Sequence, residues 1–152
     1  MAIGEICNRD VLFARREDTV KTAARLMREF HIGSVVVIDE TNGSRQPVGI
    51  VTDRDITVAV VALGLDPEVI QVGDIMATEL VAAAEDTGVA EAVEIMRLKG
   101  IRRLAVRDAS GSLVGIVTAD DVLVLLAEEM SALASMVERE YKREAGLRKA
   151  VI

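Results

Sequence analysis

The residues best placed to do chemistry fall in two seven-residue stretches, GIVTDRD from Gly49 to Asp55 and GIVTADD from Gly115 to Asp121. Both run Gly, two apolar residues, Thr, two variable positions, Asp. This is the pattern of a strand that hands its last residue to the start of a helix. Thr52 or Thr118 would then cap that helix, and the free N–H groups and positive dipole end of its first turn suit an anion. Asp55 and Asp121 sit within the same first turn. A carboxylate there can accept two hydrogen bonds from vicinal hydroxyls, the way dinucleotide folds hold a ribose. A purely structural reading is the simpler one, in which Thr caps, Asp complements the dipole and no ligand is involved.

A second constellation is Arg102-Arg103, ahead of the β-branched run Leu104 to Val106. Adjacent arginines at a strand mouth can grip a phosphate through bidentate forks, or simply lie solvated on the surface. Strand alternation predicts that the two side chains point to opposite faces. Arg54 stands where the second stretch has Asp120, so the two stretches differ in charge. No nucleophile elbow, P-loop or neighbouring Cys-His pair is present. His31 is expected at a helix end or pocket edge, and Cys7 and the six Met are expected to fill core.

These residues are positioned by a chain of 152 residues that is 51% hydrophobic and 28% charged, enough apolar material for a real core. One Tyr, two Phe and no Trp leave little for the stacked aromatic platforms of single-strand nucleic-acid binders. A net charge of −7 gives no global field for phosphate backbones or anionic membrane, so nucleic acid is an unlikely partner and any anion site is local. A single Cys and a single His leave no zinc ligand set. Apolar runs such as Val58 to Leu63 are far short of the ~20 residues that span a bilayer, and the first ten residues lack the pattern of a secretion signal. A cytoplasmic location with no membrane partner is expected.

The chain is written twice. Glu17 to Ile56 aligns with Glu85 to Val122, and Gly4 to Cys7 with Gly73 to Met76. Met27 matches Met96, an offset of 69. After the longer loop Glu40 to Pro47, Gly49 matches Gly115, an offset of 66. Each copy begins with a short apolar segment (Val11 to Ala14; Leu80 to Ala83) and an EDT sequence able to cap a helix through Asp or Thr. An apolar helix stripe follows (Val20, Ala23, Ala24, Met27; Val89, Ala92, Val93, Met96). Then come a hairpin (Val35 to Ile38 and Val48 to Val51; Leu104 to Val106 and Leu113 to Val117) and a helix from about Asp53 or Ala119. The fold class expected is α+β: two β-α-β-β-α repeats packed about a pseudo-twofold axis, with an extended C-terminal helix. The expected division is 1–66, 67–130 and a helical extension 131–152, with a linker from Gly64 to Val72. The last helix should run unbroken from Asp120 to about Lys142, and its basic tail suits a partner subunit, or less simply a protein or nucleic acid.

EDTVKTAARLM…VVVID…VGIVTDRDI and its second copy resemble a tandem pair of CBS domains, over about Ile3 to Met130. That resemblance implies a non-catalytic regulatory module with two clefts between the copies, no required cofactor, and an adenosine-containing ligand such as AMP, ADP, ATP or S-adenosylmethionine. It implies that Asp55 and Asp121 hold ribose hydroxyls, with Thr52 and Thr118 beside them and Arg54 and Asp120 adjacent. The backbone at Ile32-Gly33 and Ile101-Arg102 would frame adenine, and Arg102 and Arg103 would take phosphate. Gly33-Ser34 in the first copy departs from that basic pair, so the clefts should be unequal. A homodimer and an unknown regulated protein partner are expected. The alternative is a protein-interaction adaptor with unoccupied clefts that dimerises through the C-terminal helix.

Overall fold

The computed structural model describes residues 1–149; the last three residues of the expected extension, 150–152, lie outside the described residues. Two bodies make up the chain, residues 1–118 and a single helix that starts at Ala119. In the first body the first copy runs α1 (Ile3–Ile6), β1 (Phe13–Arg15), α2 (Val20–Phe30), β2 (Ser34–Thr41), β3 (Ser44–Thr52) and α3 (Asp53–Ile56), which a π-helical turn, Thr57–Val61, extends. The second copy runs α4 (Val72–Ile75), β4 (Ala82–Ala84), α5 (Val89–Lys99), β5 (Arg103–Arg107) and β6 (Leu113–Thr118). The second body is α6 (Ala119–Lys149), with no break at residue 130 and passing Gly146. The β-α-β-β-α order is as the sequence predicts. The two short helices α1 and α4 are additional.

Each copy has one three-stranded sheet, ordered β1-β2-β3 or β4-β5-β6, with the first pair parallel and the second antiparallel. The β2–β3 hairpin turns on Asn42 and Gly43, both at positive φ, which matches the twist of the strands they join. The β5–β6 loop is instead tied by Asp108, whose Oδ1 accepts from Ser110 N (2.8 Å), Ser110 Oγ (2.6 Å) and Ser112 N (3.0 Å). Helix α2 is capped by Thr19, whose Oγ1 accepts from Thr22 N. In the second copy the EDT capping expectation fails. The cap position of α5 is Gly88, because the structural offset of 69 aligns Thr19 with Gly88 and slides the second EDT one residue too early. The Thr87 carbonyl instead accepts from Ile3 N at 2.8 Å. The helices end alike, on a left-handed residue: His31 (φ 54°), a helix-end residue as expected, and Gly100 (φ 64°).

Strand β2 is buried on both faces. Val35 and Val37 pack with Ala14, Ala23, Met27 and Val51 beneath α2, while Val36 and Ile38 pack with Ala105 and Leu113 against the other sheet. That is why Val35 to Ile38 reads as a continuous apolar run and not as an alternating one. Of the expected α5 stripe, Ala92 and Met96 are buried but Val93 is 41% exposed. The expectation of core methionines is met by Met27, Met76 and Met96. It is overturned for Met1, Met130 and Met136, which are exposed. Cys7 is half-buried, with Sγ against the Gly4 carbonyl at 3.7 Å.

The short helices exchange places. Val72 and Met76 of α4 and its C-cap belong to the core of the first copy, beside Val35 and Val51. Gly73 N donates to Arg16 O (2.9 Å) and Val72 N to Asp18 O (2.8 Å); their counterparts Gly4 N and Ile3 N donate to Glu85 O (2.9 Å) and Thr87 O (2.8 Å). Backbone bridges repeat the exchange, Asn8 with Ile116 and Ile50 with Ala77. These reciprocal pairs define the pseudo-twofold axis. They also explain the glycine of each GIVT stretch. A Cβ on Gly49 would lie 2.7 Å from Met76 Sδ and 2.9 Å from Ala77 O, and one on Gly115 would lie 2.5 Å from Cys7 Sγ and 3.2 Å from Asn8 O. The glycine makes room for the other copy's segment to cross the strand.

Gly49→Ala, pressed against a carbonyl that cannot retreat, is expected to lower unfolding free energy by roughly 1–3 kcal/mol in urea titrations, and Gly115→Ala similarly. Gly88→Ser should act in the opposite sense. Nothing lies within 4 Å of its would-be Cβ, and a hydroxyl at a vacant N-cap should add about 0.5 kcal/mol.

Candidate functional site

Thr52 ends β3 in an extended conformation and starts α3 as its N-cap. Asp55 sits three residues on, and the two bond reciprocally: Thr52 Oγ1 accepts from Asp55 N (3.2 Å), while Asp55 Oδ2 accepts from Thr52 N (2.8 Å) and Thr52 Oγ1 (2.7 Å). This is a capping box, the structural role the spacing allowed. Both bonds to the carboxylate fall on Oδ2. Asp53 N donates to Gly33 O (3.1 Å), tying the end of β3 to the entrance of β2, and Asp53 Oδ1 accepts from Arg54 N (2.8 Å).

A cleft of about 250 Å³ opens where the copies meet, lined by Ile50, Thr52, Glu79, Leu80, Val81, Ile101, Arg102 and Arg103. Four aliphatic side chains wall it, and the two arginines, one carboxylate and one hydroxyl are its polar groups. Apolar walls with a few converging polar groups are the usual make-up of a small-molecule site, although this one lies below the ~300–1,000 Å³ typical of ligand pockets.

Arg102 and Arg103 both line this cleft, contrary to the expectation that alternation would separate them. The reason is local. Strand β5 begins only at Arg103, so Arg102 lies in the bend before it, where the period of two does not yet apply. Arg103 also reaches across the pseudo-twofold axis. Its Nη2 lies 3.9 Å from where a Cβ on Gly33 would stand, with Asp53 Oδ2 at 3.4 Å from the same point. A Cβ at position 33 would stand in ordinary contact with both.

Of the other expected site residues, Ile32 packs against the core of the first copy and donates its N–H to Met27 O (3.0 Å); Ile101 makes the same bond to Met96 O (3.0 Å) but lines the cleft. Arg54 and Asp55 lie on α3 and are not among the lining residues. Thr118 ends β6, and Asp120 and Asp121 occupy the first turn of α6. Sequence reasoning missed Ile50, Glu79, Leu80 and Val81 as lining residues. Ile50 was within reach, since it lies two residues before Thr52 and shares its face of β3. The other three precede β4, and nothing in their types marks them. Among the described residues no group of three or more His, Cys, Asp or Glu is placed to hold a metal ion, and no helix is long and apolar enough to cross a membrane.

Comparison with known proteins agrees with this architecture. The CBS domain profile matches residues 3–62 and again 72–128. An uncharacterized protein of Methanopyrus kandleri is 38% identical over 143 residues, covering 94% of this chain and 69% of that protein. The crystal structure of an uncharacterized conserved protein from Pyrococcus horikoshii is similar with a TM-score of 0.70 and 32% identity, over 82% of this chain and 90% of that one. The CBS domain pair of the protein MJ0100, solved with 5′-methylthioadenosine and S-adenosyl-L-methionine, is similar with a TM-score of 0.71 and 25% identity, over 83% of this chain and 99% of that one. Two matched copies, two exchanged short helices and an inter-copy cleft have one reading: the chain belongs to the CBS domain family and carries a CBS domain pair, a regulatory module.

Proposed function

We propose that this chain is a non-catalytic sensor that binds an adenosine-containing ligand in the cleft between its copies and works as a homodimer on a protein partner. The observation that carries the reading is the composition of that cleft, where aliphatic walls from Ile50, Leu80, Val81 and Ile101 meet the paired cations Arg102 and Arg103. The aliphatic walls suit the faces of a purine. The arginines suit phosphate, or the carboxylate of S-adenosylmethionine, and the Thr52 hydroxyl suits a ribose. The similar MJ0100 pair, solved with two adenosine derivatives, supports this ligand class. Ligand binding would shift a pre-existing equilibrium by its differential affinity for two states, which a regulated partner then reads.

A second reading is favoured by the closed Thr52–Asp55 box, in which Asp55 already has a structural task. On that reading the first copy is a scaffold, and the protein is an adaptor with an empty cleft.

Isothermal titration with adenosine, AMP, ATP and S-adenosylmethionine separates the two. Saturable binding by at least one of them is expected, and heatless mixing with all four would leave the adaptor. Arg103→Ala should weaken ATP about tenfold or more while changing adenosine by less than about threefold, because a charge-assisted hydrogen bond contributes ~1.5–3 kcal/mol. Equal losses for both ligands would assign Arg103 to packing.

A further inference from the structure

Helix α6 carries a feature that ligand binding in the cleft does not use. From Leu126 to Gly146 every residue is exposed. Along this stretch Leu126, Met130, Leu133, Val137 and Tyr141 follow one another at intervals of four, three, four and four, a single stripe down one face. Each of the five is 44–71% exposed. A long helix with an open apolar stripe gains most of its stability from what covers that stripe.

The charges beside the stripe say what covers it. From Ala119 to Ala134 the helix has four carboxylates (Asp120, Asp121, Glu128, Glu129) and no cation; from Ser135 to Lys149 it has five cations against three carboxylates. Lys142 is held by Glu138, one turn back, at 2.7 Å. Glu129 and Arg143 make no ion pair among the described residues. They are fourteen residues apart, which returns an α-helix to nearly the same face, so both flank the same side of the stripe.

We infer that α6 pairs with α6 of a second copy of this chain, antiparallel, about a twofold axis near Ser135. In that register Leu133 faces the second copy's Val137, Met130 faces its Tyr141, and Glu129 comes beside its Arg143 on the shared flank. The acidic half of each helix lies along the basic half of the other, and the two helix dipoles oppose. A parallel pair would instead set Glu128 and Glu129 beside their own copies and bring the basic ends together. A polyanion or an acidic partner would engage the basic tail but leave the stripe open. The inference stands independently of any ligand in the cleft.

Disulfide trapping in the full chain tests it. Cys7 is the chain's single thiol, so a Cys7→Ala background isolates new ones. Met130→Cys and Tyr141→Cys, both at exposed positions, are purified separately, mixed and mildly oxidised. The pairing predicts a cross-link between the two variants and little within either alone. A Met130→Cys cross-link to itself as strong as the mixed one would establish a parallel pair and overturn the proposal, as would the absence of any cross-link. Adding Glu129→Arg to both should cut the mixed yield about tenfold at a limiting concentration, and adding Arg143→Glu as well should restore it. A mixed yield indifferent to both changes would overturn the charge-set polarity.

Discussion

The structure of the first body depends on a backbone exchange. Each copy lends its opening segment to the other: Gly4 N reaches Glu85 O and Gly73 N reaches Arg16 O at the same 2.9 Å, and Val72 and Met76 complete a core otherwise built by the first copy. A three-stranded sheet with one helix leaves much of its apolar surface uncovered, and a unit of about 60 residues is marginal by itself. The exchange supplies the missing cover from the partner copy. It also makes the GIVT glycine obligatory, because the lent segment crosses the strand where any Cβ would meet a sulfur or a carbonyl oxygen.

The same constraint shapes the cleft. With the sheets held face to face through Val36, Ile38, Ala105 and Leu113, the segment before β4, the bend before β5 and the end of β3 converge on one hollow. The copies then diverged within a shared frame. Arg102 and Arg103 stand where the first copy has Gly33 and Ser34, and Arg103 leans toward the space that Gly33 leaves open. Duplicated backbone and unequal side chains give a cation pair at one position of the twofold and none at its mate.

Much of the fold was legible in the sequence because duplication shows each element twice. The β-α-β-β-α order, the Asn42-Gly43 turn and the continuous run of β2 all have local causes. Two features were not legible. Helices α1 and α4 are four residues long and owe their place to contacts in the other copy, which no local pattern encodes. The second EDT imitates the first but lies one residue out of register, so composition suggested a cap where geometry puts Gly88. Of the residues that line the cleft, type and spacing pointed to Thr52, Arg102 and Arg103, and the family resemblance alone to Ile101. The alternation argument misdirected Arg102 because the strand starts one residue later than the arginine pair. Glu79, Leu80 and Val81 become neighbours of these only through the tertiary fold.

The lent segment also sets the order of events as the polypeptide is made. The first copy lacks Val72 and Met76 until translation has passed them and they have cleared the ribosomal tunnel. Until then the core around Val35, Val51 and Met27 has the cover of α2 but lacks that of α4. The first half therefore completes its core only with the opening residues of the second, while α1, the earliest segment synthesised, lacks its partners in the other copy until Glu85 and Thr87 have been made.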